Sequence, residues 1–502
     1  MKENFDAIVI GGGIIGCAIA YELSKKSYKV GCIEKNQKTG SGSTSNSCAI
    51  IRTHYSTLDG AAMAKSNYPF WENWRDYLNA PNNEILAKYK EVGCFFTCFE
   101  KNQYGQKLEE IALEIGIPYE VLTPAKMKKL LPIINPGHFY PAKALTDKNF
   151  GEKNGNLRYV LHFPKAGYIS DPMFATQNIE NAAKRVGAKF FLGTKVIEIH
   201  KNNNQVTGVS TDKGDLFSAP IIINASGPHS FKINEMAEAT KDMTISTKAL
   251  RVEVAHVPSP KNFNFEENGY ICSDDDIGGY WRPEVGNKIL VGSHDPECDE
   301  IEWVDPDNYN AEPTNQVRVQ AMRAAQRFPS LEIPNNVQGI ADLYDVSDDW
   351  IPIYDKSSID GFYMAIGSSG NQFKNAPVAG KMMAELIEYV SKGNNHDEAP
   401  LIFKLPNLDY NLDLSFFSRK RKINKEKAAG EQREAELKLK LERVQKDLKK
   451  ATQKSEQGLT ADQGATQHNF LGNLLKELFT DTEDEIIPVS YTHLTLPTSD
   501  LV

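Results

Sequence analysis

The chain has 502 residues, enough for one large core or two domains, and its 40% hydrophobic and 25% charged residues are those of an ordinary globular protein. A net charge of −9 gives no reason to expect nucleic acid, whose phosphates need a basic face, and no uninterrupted apolar run approaches the ~18 residues of a membrane helix. Seven scattered cysteines do not make a disulfide framework; Cys94 and Cys98 in GCFFTCF lack the second pair of a zinc site, so they are expected as core thiols and no metal is expected. The start, MKENF, runs directly into an apolar segment, which predicts no signal peptide and a cytoplasmic location.

Ala7 to Ile10 is an unbroken apolar run of strand length, followed by Gly11, Gly13 and Gly16 with G-x-G-x-x-G spacing. An apolar helical pattern comes next, then a second strand over Lys29 to Ile33 that ends at Glu34. The first glycine permits a tight turn, the second lets a pyrophosphate approach the backbone, and the third lets the helix pack on the strand. The phosphates would sit on the helix N-terminus, at Ile14 and Ile15, where free N–H groups and the dipole favour an anion. Glu34, about 20 residues beyond the glycines and followed by Lys35, can accept both ribose hydroxyls of an adenosine.

The loop Lys38 to Ile51 (KTGSGSTSNSCAII) follows, and the hydroxyls and N–H groups around Gly42, Ser43 and Thr44 are placed to reach the same pyrophosphate. Arg52 ends this loop. Helical spacing of Tyr68, Trp71, Trp74 and Leu78 predicts a packed helix over 61–78, and 91–150 reads as part of a second domain with a helix over 106–113. The block GYISDPMFATQNIENAAKRVGAKFF is a turn, a helix capped by Asp171, and a strand; strands at 195–199 and 205–210 follow, then the apolar strand of APIIINASG. From 244 to 257 and from 269 to 292 the alternation is that of a half-exposed antiparallel sheet, and a helix is predicted over 314–328. DGFYMAIGSSGNQFKNAPVAG is a third strand-to-glycine junction, which makes the nucleotide domain discontinuous. Residues 419–456 are helix-forming and charged, with an a/d stripe of about two heptads, so a solvated helix or a partner helix through 431–456 both fit. The last residues, Val489 to Val502, resemble the translation of a sequencing-library adaptor and are set aside from fold reasoning.

Over about Phe5 to Asn424 the sequence resembles the family of FAD-dependent amine oxidoreductases that contains D-amino-acid oxidase, glycine oxidase and sarcosine oxidase. The motifs that carry the resemblance are DAIVIGGGIIG with Glu34, GSGSTSNS leading to IIR, GYISDP, INASG, GYWRP with ILVG, and GSSGNQFKNAPVAG. It implies an α/β plus antiparallel-β fold: a discontinuous Rossmann-like FAD-binding domain with a second antiparallel-sheet substrate domain. The FAD-binding domain is then expected at 1–80, 151–235 and 335–395, and the substrate domain at 81–150 and 236–334. A family C-terminal segment is expected at 396–424, a charged helical extension at 425–488 and an adaptor-derived tail at 489–502. No second GxGxxG for a nicotinamide is present, so the substrate is expected to reduce the flavin directly.

By the same resemblance, Gly11, Gly13 and Gly16 hold the pyrophosphate, Glu34 the ribose, and Ser43 and Thr44 the phosphate side. Val196 meets adenine through its backbone, Gly227 lines the cofactor, and Gly367, Gly370, Gln372, Phe373 and Lys374 lie beside the isoalloxazine ring, where N–H dipoles stabilise charge on the reduced flavin. Arg52 with Lys374, and Arg282 in YWRP, match the cations that bind a substrate carboxylate in different branches of the family; Tyr280 walls the pocket or simply packs. His54 and His294 are candidates for tuning the amine.

Three departures refine the expectation. Asn46 and the run Asp342, Leu343, Tyr344 stand where relatives carry a flavin-tethering histidine or cysteine, so FAD is expected to be non-covalent. Leu290 replaces the oxygen-activating lysine of sarcosine oxidases, which favours a dehydrogenase over an oxidase, with oxygen, a carrier protein or a quinone as the open choices of acceptor. The implied reaction is hydride transfer from the C–N bond of a small amino acid to FAD: an N-methylated glycine, glycine or a D-amino acid. Two alternatives are a 2-hydroxy-acid dehydrogenase and a non-catalytic FAD-stabilised binding module.

Overall fold

The apolar run Ala7–Ile10 forms a wholly buried strand inside a six-stranded sheet in a computed structural model, which describes residues 2–99 and 104–424. Val30–Ile33 and Ile221–Asn224 flank it; Lys189–Phe191 extends the sheet on one side, and Phe362–Ile366 then Ile353–Lys356 on the other. Every pairing is parallel except the last. Parallel strands covered on both faces need continuous apolar runs, which AIVI, VGCI, IIIN and FYMAI supply. The helix Ile14–Lys25 packs against both Pro172–Arg185 and Ala376–Ser391. Asp171 caps the second of these, accepting the Phe174 N–H at 2.8 Å with Pro172 in the first turn.

A second, nine-stranded sheet begins at Glu302–Val304 and runs through Thr247–Pro258, Lys288–Ser293, Gly279–Glu284, Ile271–Asp274, Cys94–Cys98 and Tyr159–Phe163 to Glu120–Leu122. Gln338–Ser347 also pairs with Thr247–Pro258, from Ser347 opposite Thr247 to Gln338 opposite His256. Pairing is antiparallel except between Ile271–Asp274 and Cys94–Cys98. These two strands lie far apart in the chain, so no hairpin constrains their direction. The helix Gln316–Arg327 covers this sheet, and its last residue, Arg327, is fully buried against Asp274 at 2.7 Å and Asp276 at 2.5 Å. All seven cysteines are free, and Cys94 and Cys98 are buried.

The sheets do not divide where the motif boundaries do. Tyr159–Phe163 and Gln338–Ser347 belong to the nine-stranded sheet, although the expected boundaries at 151 and 335 place them in the FAD-binding domain. Motifs mark where the chain turns toward a cofactor, whereas sheet membership follows hydrogen-bond partners. Val196–Asn202 and Gln205–Thr211 form a separate four-stranded sheet with Leu216–Ser218 and Lys2–Asn4. The helix expected over 61–78 is two helices, Leu58–Glu72 and Trp74–Leu78, with Pro69 inside the first and Asn73 between them.

The C-terminal segment is locked onto the fold. Arg419 is buried among Asp242 at 2.5 Å, Asp355 at 3.0 Å and Asp397 at 2.9 Å. No helix among the described residues is long and apolar enough to cross a membrane, and none of their side-chain groups forms a metal-ligating cluster. The charged extension at 425–488, the stripe through 431–456 and the tail at 489–502 lie outside the described residues.

Candidate active site

At the carboxyl end of the first strand the chain turns through Gly11, at φ +110°, where an added Cβ would lie 2.3 Å from the Ala225 carbonyl oxygen. A Cβ at Gly16 would lie 1.9 Å from the Gly11 oxygen, so only glycine lets the helix start against its own turn. No side chain caps this helix at Gly13. Its first turn instead faces a cavity of about 820 Å³, lined here by Gly11, Gly13, Ile14 and Ile15. Thr44 folds over from the following loop and its Oγ1 accepts the Ile14 N–H at 3.3 Å. Gly42 and Ser43 line the same wall, with Gly227 on the loop after Ile221–Asn224.

The second strand ends at Glu34, which is buried and fixed by two main-chain donors: Gly12 N–H to Oε2 at 2.7 Å and Asn36 N–H to Oε1 at 2.8 Å. Glu34, Lys35 and Val196 line this end of the cavity. Lys35 Nζ is 3.0 Å from His229 Nε2, and burial lowers the ammonium from its ordinary value. The segment from Pro306 to Pro313, which the sequence did not single out, also lines the cavity, and Lys232 joins it through Asp305 at 2.6 Å and Asp307 at 2.7 Å.

At the far end, Gly370, Gln372 and Phe373 line the cavity. Gly16, Gly367 and Lys374 are outside its lining: Gly16 is packed on Gly11, Gly367 donates its N–H to Asp345 Oδ2 at 2.6 Å, and Lys374 is buried elsewhere. Lys374 is 3% exposed and donates to the Asn371 carbonyl; Arg52 donates to the His54 carbonyl at 3.0 Å. Both cations lie on the Tyr55 ring, Arg52 at 4.4 Å and Lys374 at 5.0 Å from its centroid, and Tyr55 itself donates to Asn371 at 3.1 Å. Neither cation is paired with a carboxylate among the described residues. Burial first, and Arg52 second, hold the Lys374 ammonium well below its ordinary value. The buried His54 ring stacks on Phe163 at 4.3 Å; burial, Arg52 and Lys374 keep it neutral, and neither ring nitrogen has a hydrogen-bond partner.

The remaining expected residues are arranged differently. Arg282 is buried, but its guanidinium is paired with Glu284 at 2.8 Å, donates to the Pro283 carbonyl at 2.6 Å and stacks on Tyr168 at 4.6 Å. No contact brings it to Arg52 or Lys374. His294 is exposed and paired with Asp275 at 2.8 Å, with its ring on Tyr280 at 5.5 Å. The Tyr280 hydroxyl lies 3.1 Å from Cys48 Sγ, and Tyr344 packs its ring on Gly370 in the cavity wall. Leu290 is buried and apolar, so no cation stands at that position.

These features fit FAD. The cavity has cofactor size, one end offers the helix N-terminus at Gly13 to Ile15 to a pyrophosphate and a fixed carboxylate to a ribose, and the other is walled by a glycine turn. Glycerol 3-phosphate dehydrogenase of Caloramator mitchellensis is 25% identical over 399 residues, covering 77% of this chain and 75% of that protein. Sarcosine oxidase subunit beta of Rhizobium meliloti is 24% identical over 395 residues, covering 77% of this chain and 85% of that protein. Among solved structures, L-proline dehydrogenase from P. horikoshii superimposes with a TM-score of 0.66 at 23% identity, over 84% of this chain and 98% of that one. The family described as FAD dependent oxidoreductase (DAO) matches residues 6–386, and the chain belongs to it.

Proposed function

We propose that the chain oxidises the C–N bond of a small amino acid, an N-methylated glycine, glycine or a D-amino acid, with non-covalent FAD as the oxidant. The observation that carries this reading is the pair Arg52 and Lys374, drawn from opposite ends of the family region onto one aromatic ring without an acidic partner among the described residues. Two adjacent cations, the half-buried Arg52 and the buried Lys374, select an anion, and an arriving carboxylate supplies the counter-charge that Lys374 lacks. Arg52 offers a planar fork for the carboxylate and Lys374 a point charge. Tyr55 fixes both, so the carboxylate sets the position of the neighbouring carbon and nitrogen. The bound flavin supplies the two-electron acceptor. No side-chain base is needed if the amine binds unprotonated, and the neutral His54 places no added positive charge behind the clamp.

In this reading the six-stranded sheet and its three helices form the FAD-binding half, with Gly11, Gly13, Gly16 and Glu34 on the adenosine diphosphate side. The nine-stranded sheet forms the substrate half. Leu290 supports a dehydrogenase, because no cation stands there to stabilise reduced oxygen; a carrier protein or quinone is then the acceptor. Asn46, engaged with Asp342 at 2.5 Å, and Tyr344 offer no tether to the flavin.

A second reading, oxidation of the C–O bond of an anionic alcohol such as a 2-hydroxy acid, is favoured by one observation: a matched relative is named as a dehydrogenase of glycerol 3-phosphate, itself an anionic alcohol. The same cations would grip its anion. Anaerobic mixing with a panel of amino acids and hydroxy acids separates the two. Bleaching of the bound flavin by amino acids supports the C–N reading, and bleaching by hydroxy acids alone contradicts it. Peroxide formation matching substrate turnover in air would refute the dehydrogenase assignment.

A further inference from the structure

The strand Gln338–Ser347 carries a carboxyl group that the proposed chemistry does not use. Asp345 is 1% exposed and stands in the wall of the cavity. Its Oδ1 accepts from Ser230 Oγ at 2.8 Å and its Oδ2 from the Gly367 N–H at 2.6 Å, while its main-chain oxygen accepts the Ser369 N–H at 2.7 Å. One residue of the nine-stranded sheet thus holds the first and third residues of the turn that follows Phe362–Ile366. The turn needs holding: Gly367, Ser369 and Gly370 have φ of +67°, +46° and +66°, and for a serine the left-handed region is unfavourable. Ser230 Oγ is in turn 2.9 Å from Thr247 Oγ1, so the clamp is anchored on a second strand of the same sheet.

We propose that Asp345 is a positioning residue, whose carboxyl hydrogen bonds fix the Gly367–Gly370 turn in the shape that meets the flavin. This rests on the reading that FAD fills the cavity. Burial pushes the carboxyl up to about 7, against the donors that surround it. A neutral carboxyl does the same work as a charged one here, accepting from Gly367 and donating to Ser230. An asparagine can copy both bonds, with its carbonyl toward Gly367 and its amide N–H toward Ser230; an alanine can copy neither.

The test is the rate at which purified holoenzyme releases FAD, together with the visible spectrum of the bound flavin and far-UV circular dichroism as a check of folding. Asp345→Ala is expected to release FAD about tenfold faster and to change the spectrum, Ser230→Ala about threefold faster, and Asp345→Asn to stay within about twofold of the wild type. A folded Asp345→Ala with wild-type release and spectrum overturns the proposal, as does an Asp345→Asn that behaves like the alanine variant. If Asp345→Ala does not fold, the other two decide: wild-type release from Ser230→Ala overturns it. A wild-type protein that neither carries nor takes up FAD would overturn the FAD reading instead, a result distinct from all of these.

Discussion

The cavity and the cation cluster on Tyr55 are built from different materials. At the glycine-turn end, Gly11, Gly13 and Gly16 act through main chain and through the absence of side chains, and even the Glu34 carboxylate is fixed by the N–H groups of Gly12 and Asn36. These residues lie within one strand-turn-helix-strand unit. In the cluster on Tyr55, outside the cavity lining, the groups are side chains carried by distant segments: Arg52 and Tyr55 after the loop and Lys374 after the last glycine turn. A cofactor site made of backbone tolerates exchange of its surroundings but not of its glycines. A site made of converging side chains can change its substrate by single replacements without disturbing the cofactor.

That contrast breaks first at Gly16. Gly16→Ala places a methyl group 1.9 Å from a carbonyl oxygen, and the expected outcome is loss of bound flavin with destabilisation of at least about 3 kcal/mol, read by flavin content and thermal melting. Arg52→Ala is expected to do the opposite: flavin content unchanged and kcat/KM for the amino acid lowered about 100-fold, roughly 3 kcal/mol of transition-state binding.

Asp345 sharpens the contrast, because it belongs to the nine-stranded sheet and holds the Gly367–Gly370 turn that follows a strand of the six-stranded one. Its carboxyl is raised from 3.8 to about 7 in the folded protein. Between those values the fold keeps a proton that the unfolded chain has released, so stability falls as pH rises through this window and levels off above about 7. Asp345→Asn is expected to lack this decline, gaining on the wild type by up to about 4 kcal/mol across the window in denaturant titrations. The smallest effect is expected at His294. It is exposed and paired with Asp275, so His294→Ala should leave kcat and KM within about twofold.

The same contrast explains what the sequence discloses. Glycine spacing, apolar runs and a strand-terminal acid are local, so the six-stranded sheet and the turn at Gly11 are legible in order, as is the cap at Asp171. Tyr55 lies only three residues beyond Arg52, yet nothing local says that Lys374 will share its ring; that depends on how two halves of the chain fold together. Tyr344 and Asp345 stand in a block notable in the sequence only for its lack of a tethering cysteine. Arg282 is instructive in the other direction. Glu284 follows two residues later on the same strand, and alternate strand residues share a face, so the ion pair was readable from spacing although a motif match pointed to a substrate cation. The domain boundaries at 151 and 335 miss the sheet change for a related reason, since Tyr159–Phe163 is paired with Cys94–Cys98, far back in the chain.

The central claim is that Arg52 and Lys374 grip a carboxylate beside a flavin held independently of them. The direct measurement is anaerobic flavin reduction by an amino acid and by its carboxamide, in the wild type, Arg52→Gln, Lys374→Met and the double variant. The account predicts that the wild type prefers the carboxylate about 100-fold, that each single variant loses most of this preference, that the double variant loses little more, and that all retain FAD. An undiminished preference in the double variant would contradict it.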